Sequence, residues 1–273
     1  MLFEHAAPSV GLPDHVPVLD FFRQTLAVTE SELRKLRHDP LELVTRAVQP
    51  TLWLLVFGHV FSRVRDIPTG GLRYLDFMAP GILAQSVLFI AIFYGISVIW
   101  ERDLGILHKF LVSPASRAAL VLGKALSAGG RGLSQAVIVY LLALAMGISL
   151  RLSLGGVLGV VVFIVLGSAV FSTLSLAVAC LVKTRERFMG MGQVLTMPLF
   201  FASNAIYPLV LMPTWLRVIA AANPLTYQVD ALRRLMLQGG QSAFGIGVDL
   251  AVLLILLIAL VGLVAKLYPR IIR

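Results

Sequence analysis

Residues 80–100 read PGILAQSVLFIAIFYGISVIW, an apolar run without a charged side chain. A helix needs roughly 20 such residues to cross the hydrocarbon core of a bilayer. The whole chain shares this character, since hydrophobic residues make up 58% of its 273 positions and charged residues only 14%. A soluble domain carries about 25% charged residues. The sequence therefore predicts an integral membrane protein.

Five further apolar runs accompany this stretch, and together they predict an all-α protein with six transmembrane helices. The predicted spans are residues 47–62, 80–100, 132–150, 152–182, 188–216 and 245–265. Prolines interrupt the fifth of them. Asp249 is the single charged residue within these spans, and Arg131 stands at the entry of the third. Both lie near a membrane surface, where we expect their side chains to reach the headgroups.

The distribution of basic residues predicts the orientation. Six spans put both termini on one side, and 15 of the 23 Lys and Arg residues fall there, against seven on the other. Lys and Arg accumulate in cytoplasmic loops. Both termini and residues 101–124 are therefore expected inside the cell, and residues 208–240 outside. This topology accounts for the net charge of +9 without a nucleic-acid ligand.

An amphipathic segment precedes the first span. In residues 18–37, Leu19, Phe22, Leu26, Leu33 and Leu36 share one helical stripe. This pattern predicts a helix on the cytoplasmic membrane surface. The alternative is a helix packed within a small soluble subdomain, but residues 1–40 are too few to build a core. We divide the chain into an N-terminal segment, 1–40, and a transmembrane domain, 41–273.

The segment between the fifth and sixth spans is neither a full span nor a polar loop. Asn223-Pro224 is typical of a helix N-terminus, Asp230 and Arg234 are spaced for an ion pair, and Gly239-Gly240 is typical of a helix end. A shorter helix carrying Trp215 is expected before it. The sequence predicts two short helices that dip into the outer leaflet.

Motifs for chemistry on this chain are missing. Gly123-Lys124 is followed by Ala125 and lacks the earlier glycine of a phosphate-binding loop. The sequence contains no GxSxG, HExxH or CxxC motif, and Cys180 is its single cysteine. We therefore expect no enzymatic activity, metal or cofactor on this chain. Scarce charges within the spans argue against an ion-coupled carrier.

The loop after the second predicted span is ERDLGILHKFLVSPASR, residues 101–117. Leu104, Leu107 and Leu111 recur at helical spacing, and Ser113-Pro114 breaks the pattern. The spacing predicts a short amphipathic helix parallel to the membrane. From periodicity alone, a plain connector with solvated charges remains an alternative.

Three separated stretches resemble the ABC type-2 export permeases found in drug, antibiotic and polysaccharide exporters. Residues 101–124, ERDLGILHKFLVSPASRAALVLGK, resemble the cytoplasmic signature of this family. Residues 49–58, QPTLWLLVFG, resemble its first span, and residues 204–235 resemble its outer segment. Ile106 and His108 depart from the pattern, since the family often has threonine and an acidic residue there.

The resemblance implies a half-permease in the bacterial inner membrane. Two copies would form a homodimer, with a dimer of this chain and a close paralogue as the alternative. Two copies of a separate ABC ATPase would bind Mg-ATP. Residues 103–111 would form the coupling helix that docks on the ATPase, and the surface helix 18–37 would be a second contact. The residues that the resemblance assigns to ATPase coupling are Glu101, Arg102, Asp103, Leu104, Gly105, Leu107, Leu111, Ser113, Pro114 and Arg117.

The resemblance also implies a substrate path between the two copies, lined by the second and fifth spans. The candidates are Phe89, Phe93, Tyr94, Ser97, Thr196, Phe200, Phe201, Asn204 and Tyr207. Ordinary helix packing is the alternative for each of them. This set contains no charged side chain, so the expected cargo is a largely apolar amphiphile: a drug, a natural product or a lipid-linked molecule.

Other functions stay open at this point. A polysaccharide or glycolipid export permease would belong to the same family but would need a wider polar channel. A membrane-embedded transferase would need a His/Asp or paired-carboxylate site near a membrane face. A channel-like or scaffold protein would need no ATPase at all.

Overall fold

The computed structural model describes residues 18–35, 40–62, 67–104, 116–182 and 184–268. Within these ranges the elements are helices, apart from one isolated β-bridge between Leu150 and Leu237. The helices are α1 (Val18–Lys35), α2 (Pro40–Leu52), α3 (Gly58–Phe61), α4 (Tyr74–Phe93), α5 (Gly95–Asp103), α6 (Arg117–Ala145), α7 (Leu154–Leu181), α8 (Arg185–Phe201), α9 (Thr214–Ala222), α10 (Pro224–Met236) and α11 (Ile246–Leu267). The predicted all-α class is confirmed.

Among the residues that the structure describes, four helical segments are long and apolar enough to cross a membrane. They are α4 together with α5 (Tyr74–Asp103), then α6, α7 and α11. These segments overlap the second, third, fourth and sixth predicted spans.

The first and fifth predicted spans take a different form. The first is broken by a π-helical turn, Trp53–Phe57, which joins α2 to α3. The fifth stops where α8 ends at Phe201, and a 3-10 turn, Leu209–Leu211, separates it from α9. Prolines cause the second interruption, since they lack the N–H that a continuing helix requires. The count of six spans stays a prediction.

Helix α7 lies at the centre of the fold and packs against α4, α6, α10 and α11. Small residues bring these helices close together. A Cβ placed on Gly167 would overlap the Gln228 side chain of α10, and one on Gly132 would overlap Ser168. Because lipid offers no hydrophobic driving force between helices, such close packing is what holds a membrane bundle together.

Helix α1 packs its small and polar face against α6. The Thr29 hydroxyl donates to the Gly123 carbonyl at 3.2 Å, and a Cβ on Gly123 would lie 2.7 Å from Cβ of Val28. The apolar residues point outward: Leu19, Phe22 and Leu26 are 68%, 56% and 64% exposed. This orientation suits a helix whose apolar stripe meets lipid. Leu33 and Leu36 belong to the predicted stripe, but their side chains lie outside the described part.

The predicted helix start at Asn223 is confirmed. Its side-chain oxygen accepts the Leu225 N–H at 3.0 Å, and Pro224 occupies the first turn of α10. At the other end of α10, the Arg151 N–H donates to the Met236 carbonyl at 2.7 Å. The bond from Arg151 attaches the C-terminal end of α10 to the loop between α6 and α7. The predicted short helix with Trp215 is α9.

The predicted ion pair between Asp230 and Arg234 is wrong. The Asp230 carboxylate instead accepts the Ser242 hydroxyl at 2.6 Å and the backbone N–H groups of Ala243 and Phe244 at 2.9 and 3.1 Å. Arg234 is exposed. Three donors from one loop satisfy the buried carboxylate better than an exposed pair would. Asp230 therefore anchors α10 to the loop that leads into α11.

Candidate functional site

A buried ionic cluster joins three helices at the end of the bundle where α1 packs. We define it as Glu32 of α1, Glu101 of α5 and Lys124 of α6. The Lys124 ammonium lies 2.6 Å from Oε2 of Glu101 and 3.3 Å from Oε1 of Glu32. Only 2% of Lys124 is exposed. A charge this buried is tolerable only with close partners, so the cluster links the positions of the three helices.

The hydroxyl of Tyr94 extends the cluster. It donates to Oε2 of Glu32 at 2.7 Å and lies 3.3 Å from the Ser127 hydroxyl. Tyr94 stands at the junction between α4 and α5. The cluster is therefore attached to both parts of the long helical segment that precedes the loop 105–115.

This cluster corrects the placement of Lys124, which we expected in the cytoplasmic loop 101–124. Helix α6 already begins at Arg117, capped by the Ser116 hydroxyl, which accepts the Ala119 N–H at 3.2 Å. Lys124 is the single charged residue between positions 118 and 130. A lone lysine in an apolar helix was the signal for a buried partner. Its partners could not be chosen without the three-dimensional structure.

A second contact fastens the end of α5 to the start of α8. Asp103 pairs with Arg185 at 2.9 Å and with Arg102 at 3.0 Å. The Arg185 guanidinium also lies 3.4 Å from the ring centroid of Trp100. These interactions are partly exposed and are individually modest. Together they orient the last turn before the loop.

The predicted coupling residues divide between described and undescribed parts. Gly105, Leu107, Leu111, Ser113 and Pro114 lie in residues 105–115, outside the described ranges. Glu101 belongs to the ionic cluster, and Arg102 and Asp103 to the contact with α8. Leu104 is 67% exposed, and Arg117 is exposed at the start of α6. Their role in ATPase coupling stays a prediction.

Three substrate-path candidates line one cavity of about 340 Å³. Its lining is Arg46, Gln49, Phe89, Ile90, Phe93, Tyr94 and Arg131. The rings of Phe89 and Phe93 are 6.3 Å apart, and the Arg131 guanidinium lies 4.3 Å from the ring centroid of Tyr94. Below we call this space the basic-aromatic cavity.

The basic-aromatic cavity corrects two expectations. Arg131 is half-buried against Tyr94, whereas we expected its side chain to extend to the headgroups. The path candidates were also expected to lie away from charge, yet Phe89, Phe93 and Tyr94 share their cavity with two guanidinium groups. Arg46 and Arg131 belong to other helices, so α4 alone could not reveal them.

The remaining path candidates lie apart from this cavity. The Ser97 hydroxyl donates to the Tyr94 carbonyl at 2.7 Å, and the buried Thr196 hydroxyl donates to Gly192 at 2.8 Å. Phe200 is buried with its ring 5.3 Å from Trp53, while Phe201 is 45% exposed. Tyr207 bonds to the Phe201 carbonyl. The α8 candidates therefore do not line the basic-aromatic cavity, although α8 packs against α4.

Asn204 lies in a second cavity, of about 360 Å³, near α10. Its carbonyl accepts a hydrogen bond from Arg233 at 2.7 Å, and the Arg233 guanidinium lies 3.8 Å from the Phe77 ring centroid. Burial lowers the pKa of Arg233 to about 10, so it stays charged at neutral pH.

Asp249 also differs from the expectation, since its residue is fully buried rather than directed to the headgroups. Within the described ranges neither of its carboxylate oxygens has a hydrogen-bond partner. Asp249 lies in the first turn of α11, and its burial follows from packing of that turn against the α10 region.

Comparison with known proteins adds to this geometry. The family model described as ABC-2 type transporter matches residues 23–237. The chain is 31% identical over 219 residues to a protein of Cyanophora paradoxa named as a transport permease, ycf38, with 78% of this chain and 74% of that protein covered. It is 30% identical over 241 residues to the daunorubicin resistance ABC transporter permease protein DrrB1 of Streptomyces coeruleorubidus, covering 85% and 81%.

A third relative is matched over a smaller part of its length. YbhR of Escherichia coli K12, named as a multidrug ABC transporter permease, is 29% identical over 180 residues, covering 64% of this chain and 47% of that protein. The matched region contains α2 to α10, the ionic cluster and the basic-aromatic cavity.

Proposed function

The chain belongs to the ABC-2 type transporter family, and we propose that it is the membrane-spanning half of an ATP-driven exporter. Its cargo is an amphipathic molecule such as a drug, a natural product or a lipid-linked compound, taken from the cytoplasm or the inner leaflet. The permease names of its relatives support this, as does the drug resistance in the name of DrrB1. The sequence lacks a phosphate-binding loop, so a separate ABC ATPase binds Mg-ATP and supplies the energy.

The observation that carries the coupling proposal is the pairing of Lys124 with Glu32 and Glu101. Residues 101–117 and α1 dock on the ATPase, as the family resemblance implies. A displacement of the α5 end moves Glu101, and through Lys124 it moves α6 and α1 as well. Breaking the buried pairs would be costly, so the three helices shift together.

Six spans complete the proposed topology. The consecutive residues of α2, the π turn and α3, Pro40–Leu52 to Gly58–Phe61, would measure about 33 Å at 1.5 Å per residue, enough for the hydrocarbon core. Helix α8, with 17 residues, forms a shorter fifth span. Both termini are then cytoplasmic, as the basic residues favour. The location is the bacterial inner membrane.

Two copies of this chain assemble with two ATPase subunits. Apolar side chains along α2 and the π turn are exposed, among them Leu52, Leu55 and Val56 at 55%, 48% and 50%. A monomer in lipid can expose such residues, and so can a protomer that awaits its partner. Since both cases expose these residues, the homodimer in this proposal rests on the family resemblance.

The experiment that tests this function is co-purification with ABC ATPase subunits of the same organism, followed by measurement of ATP hydrolysis in nanodiscs. We expect a stable complex with two subunits of each kind, whose ATPase rate changes when amphipathic compounds are added. Stimulation confined to hydrophilic sugars would assign the chain to polysaccharide export. Absence of any ATPase complex would contradict the proposal.

A further inference from the structure

The basic-aromatic cavity contains Arg131, a cation without an acidic partner among the described residues. Arg131 contacts the Tyr94 ring, and no carboxylate of the described chain lies within ion-pair distance of it. The nearby acid, Glu32, is already bonded to the Tyr94 hydroxyl and to Lys124. Charged residues within membrane helices are costly and mark substrate or ion pathways. A guanidinium facing a cavity of about 340 Å³ is therefore available to a ligand.

The cavity lies near one membrane surface. Arg131 follows Lys124 by seven residues on α6, which places it about 10 Å further along the helix axis. Lys124 lies at the same depth in the bundle as α1. The exposed apolar stripe of α1 indicates the membrane surface. In the proposed topology this is the inner-leaflet half of the membrane, about 10 Å inward from the level of α1.

The lining matches an anion attached to an apolar body. Arg46, Gln49 and Arg131 offer N–H donors, and a guanidinium binds phosphate or carboxylate through two parallel hydrogen bonds. Phe89 and Phe93 provide an aromatic surface beside these donors. A neutral amphiphile would leave the Arg131 charge without compensation, whereas an anionic one would neutralise it.

We propose that the basic-aromatic cavity binds the anionic phosphate or carboxylate group of an amphipathic molecule, with Arg131 as the main anion contact and Phe89 and Phe93 against its apolar part. This site deepens the proposed export function, on which it rests for its role as a cargo site. It also implies that the cargo carries a negative charge, which the sequence did not predict.

The test is direct binding to the purified permease alone, in phosphatidylcholine nanodiscs. Radiolabelled dodecyl phosphate is the probe, and unlabelled dodecyl phosphate, dodecanol and dodecyltrimethylammonium are the competitors. We expect displacement by dodecyl phosphate only. Arg131→Gln should weaken binding about tenfold, because a hydrogen bond between charged groups is lost. Arg131→Lys should weaken it less.

Matched variants make the result specific. Arg151→Gln, at an exposed arginine just beyond α6, should leave binding unchanged. Gln49→Glu keeps Arg131 but places a carboxylate in the cavity, and it should also weaken binding about tenfold. Both Arg131→Gln and Gln49→Glu are to be compared for unfolding temperature, so that loss of fold is separated from loss of the site.

Two further additions identify the source of the anion. Competition by phosphatidylglycerol in the nanodisc supports the site and assigns it to a lipid headgroup. Competition by inorganic phosphate supports it and shows that the anion alone suffices. Equal displacement by dodecanol and dodecyl phosphate would overturn the proposal, as would full binding in both cavity variants. Since no ATPase is present, this failure would leave the proposed export function standing, and a missing ATPase complex would leave the binding result standing.

Discussion

Lys124 and Glu101 form a buried ion pair: the lysine Nζ lies 2.6 Å from the glutamate Oε2, and 2% and 7% of the two residues are exposed. Glu101 is in the last turn before the loop 105–115, and Lys124 is in the helix that follows it. The pair therefore joins the two helices that flank residues 105–115 in the chain. Glu32 brings the surface helix α1 to the same lysine at 3.3 Å.

Replacement of Lys124 by methionine should destabilise the protein by about 3–5 kcal/mol, because it leaves two buried carboxylates without a counter-charge. The measurement is chemical unfolding of the purified permease in detergent. Adding Glu101→Gln and Glu32→Gln to the same chain should recover much of the loss. Arg187→Met, at an exposed site of α8, is the control and should change stability by less than about 0.5 kcal/mol. A single Lys124→Met variant as stable as this control would contradict a structural role of the pair.

The apolar stripe of α1 should contact lipid. A bimane label on Phe22→Cys in a Cys180→Ser background should show blue-shifted emission in liposomes and quenching by spin-labelled lipid, since Phe22 faces outward. The neighbouring Arg23→Cys is also exposed, but it lies off the stripe and should be quenched less. Equal quenching at the two positions would show that α1 does not lie with this face on the membrane.

Much of the fold follows from the sequence because it depends on local patterns. Apolar runs of sufficient length predict α4 with α5, α6, α7 and α11, and the Asn223-Pro224 pair predicts the start of α10. Between Pro198 and Pro213 the prolines predicted an interruption of the fifth span, but not that α8 would end at Phe201 and α9 begin at Thr214. A helix that stops and resumes can have the same amino-acid composition as one continuous helix that crosses the membrane.

The candidate site was harder to predict from the sequence than the fold, because its polar contacts join residues that are far apart in the chain. Lys124 is 92 residues from Glu32, and the cavity combines residues of α2, α4 and α6. Asp230 illustrates the same difficulty, since a helical spacing of four suggested Arg234 while the loop beyond α10 supplied three donors. Periodicity orders residues on one helix and does not choose partners across helices.

The topology can be tested by cysteine labelling in intact cells, again in a Cys180→Ser background. A cysteine at Thr214, exposed at the start of α9, should react with a membrane-impermeant maleimide from outside. A cysteine at Leu104, which is 67% exposed, should react only after the cells are opened. These expectations follow from the excess of Lys and Arg on the side that holds Leu104, which marks that side as cytoplasmic. Labelling of Thr214→Cys only from the cytoplasm would reverse the orientation.

The loop 105–115 should be the principal ATPase contact. Leu107→Asp places a charge on the apolar side of the predicted coupling helix, and burying an unpaired charge costs several kcal/mol. We expect normal membrane insertion but weakened ATPase association and loss of transport, measured by co-purification and by efflux. Leu152→Asp introduces the same change at an exposed leucine before α7 and should preserve association. Unchanged efflux in Leu107→Asp would make the loop a plain connector.

The central claim is that this chain exports an amphiphile only when a separate ATPase energises it. The most direct measurement is movement of a fluorescent amphiphile across proteoliposomes that contain the permease alone, the permease with its ATPase, or the permease with an ATPase that cannot hydrolyse ATP. We expect ATP-dependent transport in the second preparation only. Equal movement in all three preparations, with or without ATP, would identify a passive channel instead of an ATP-driven exporter.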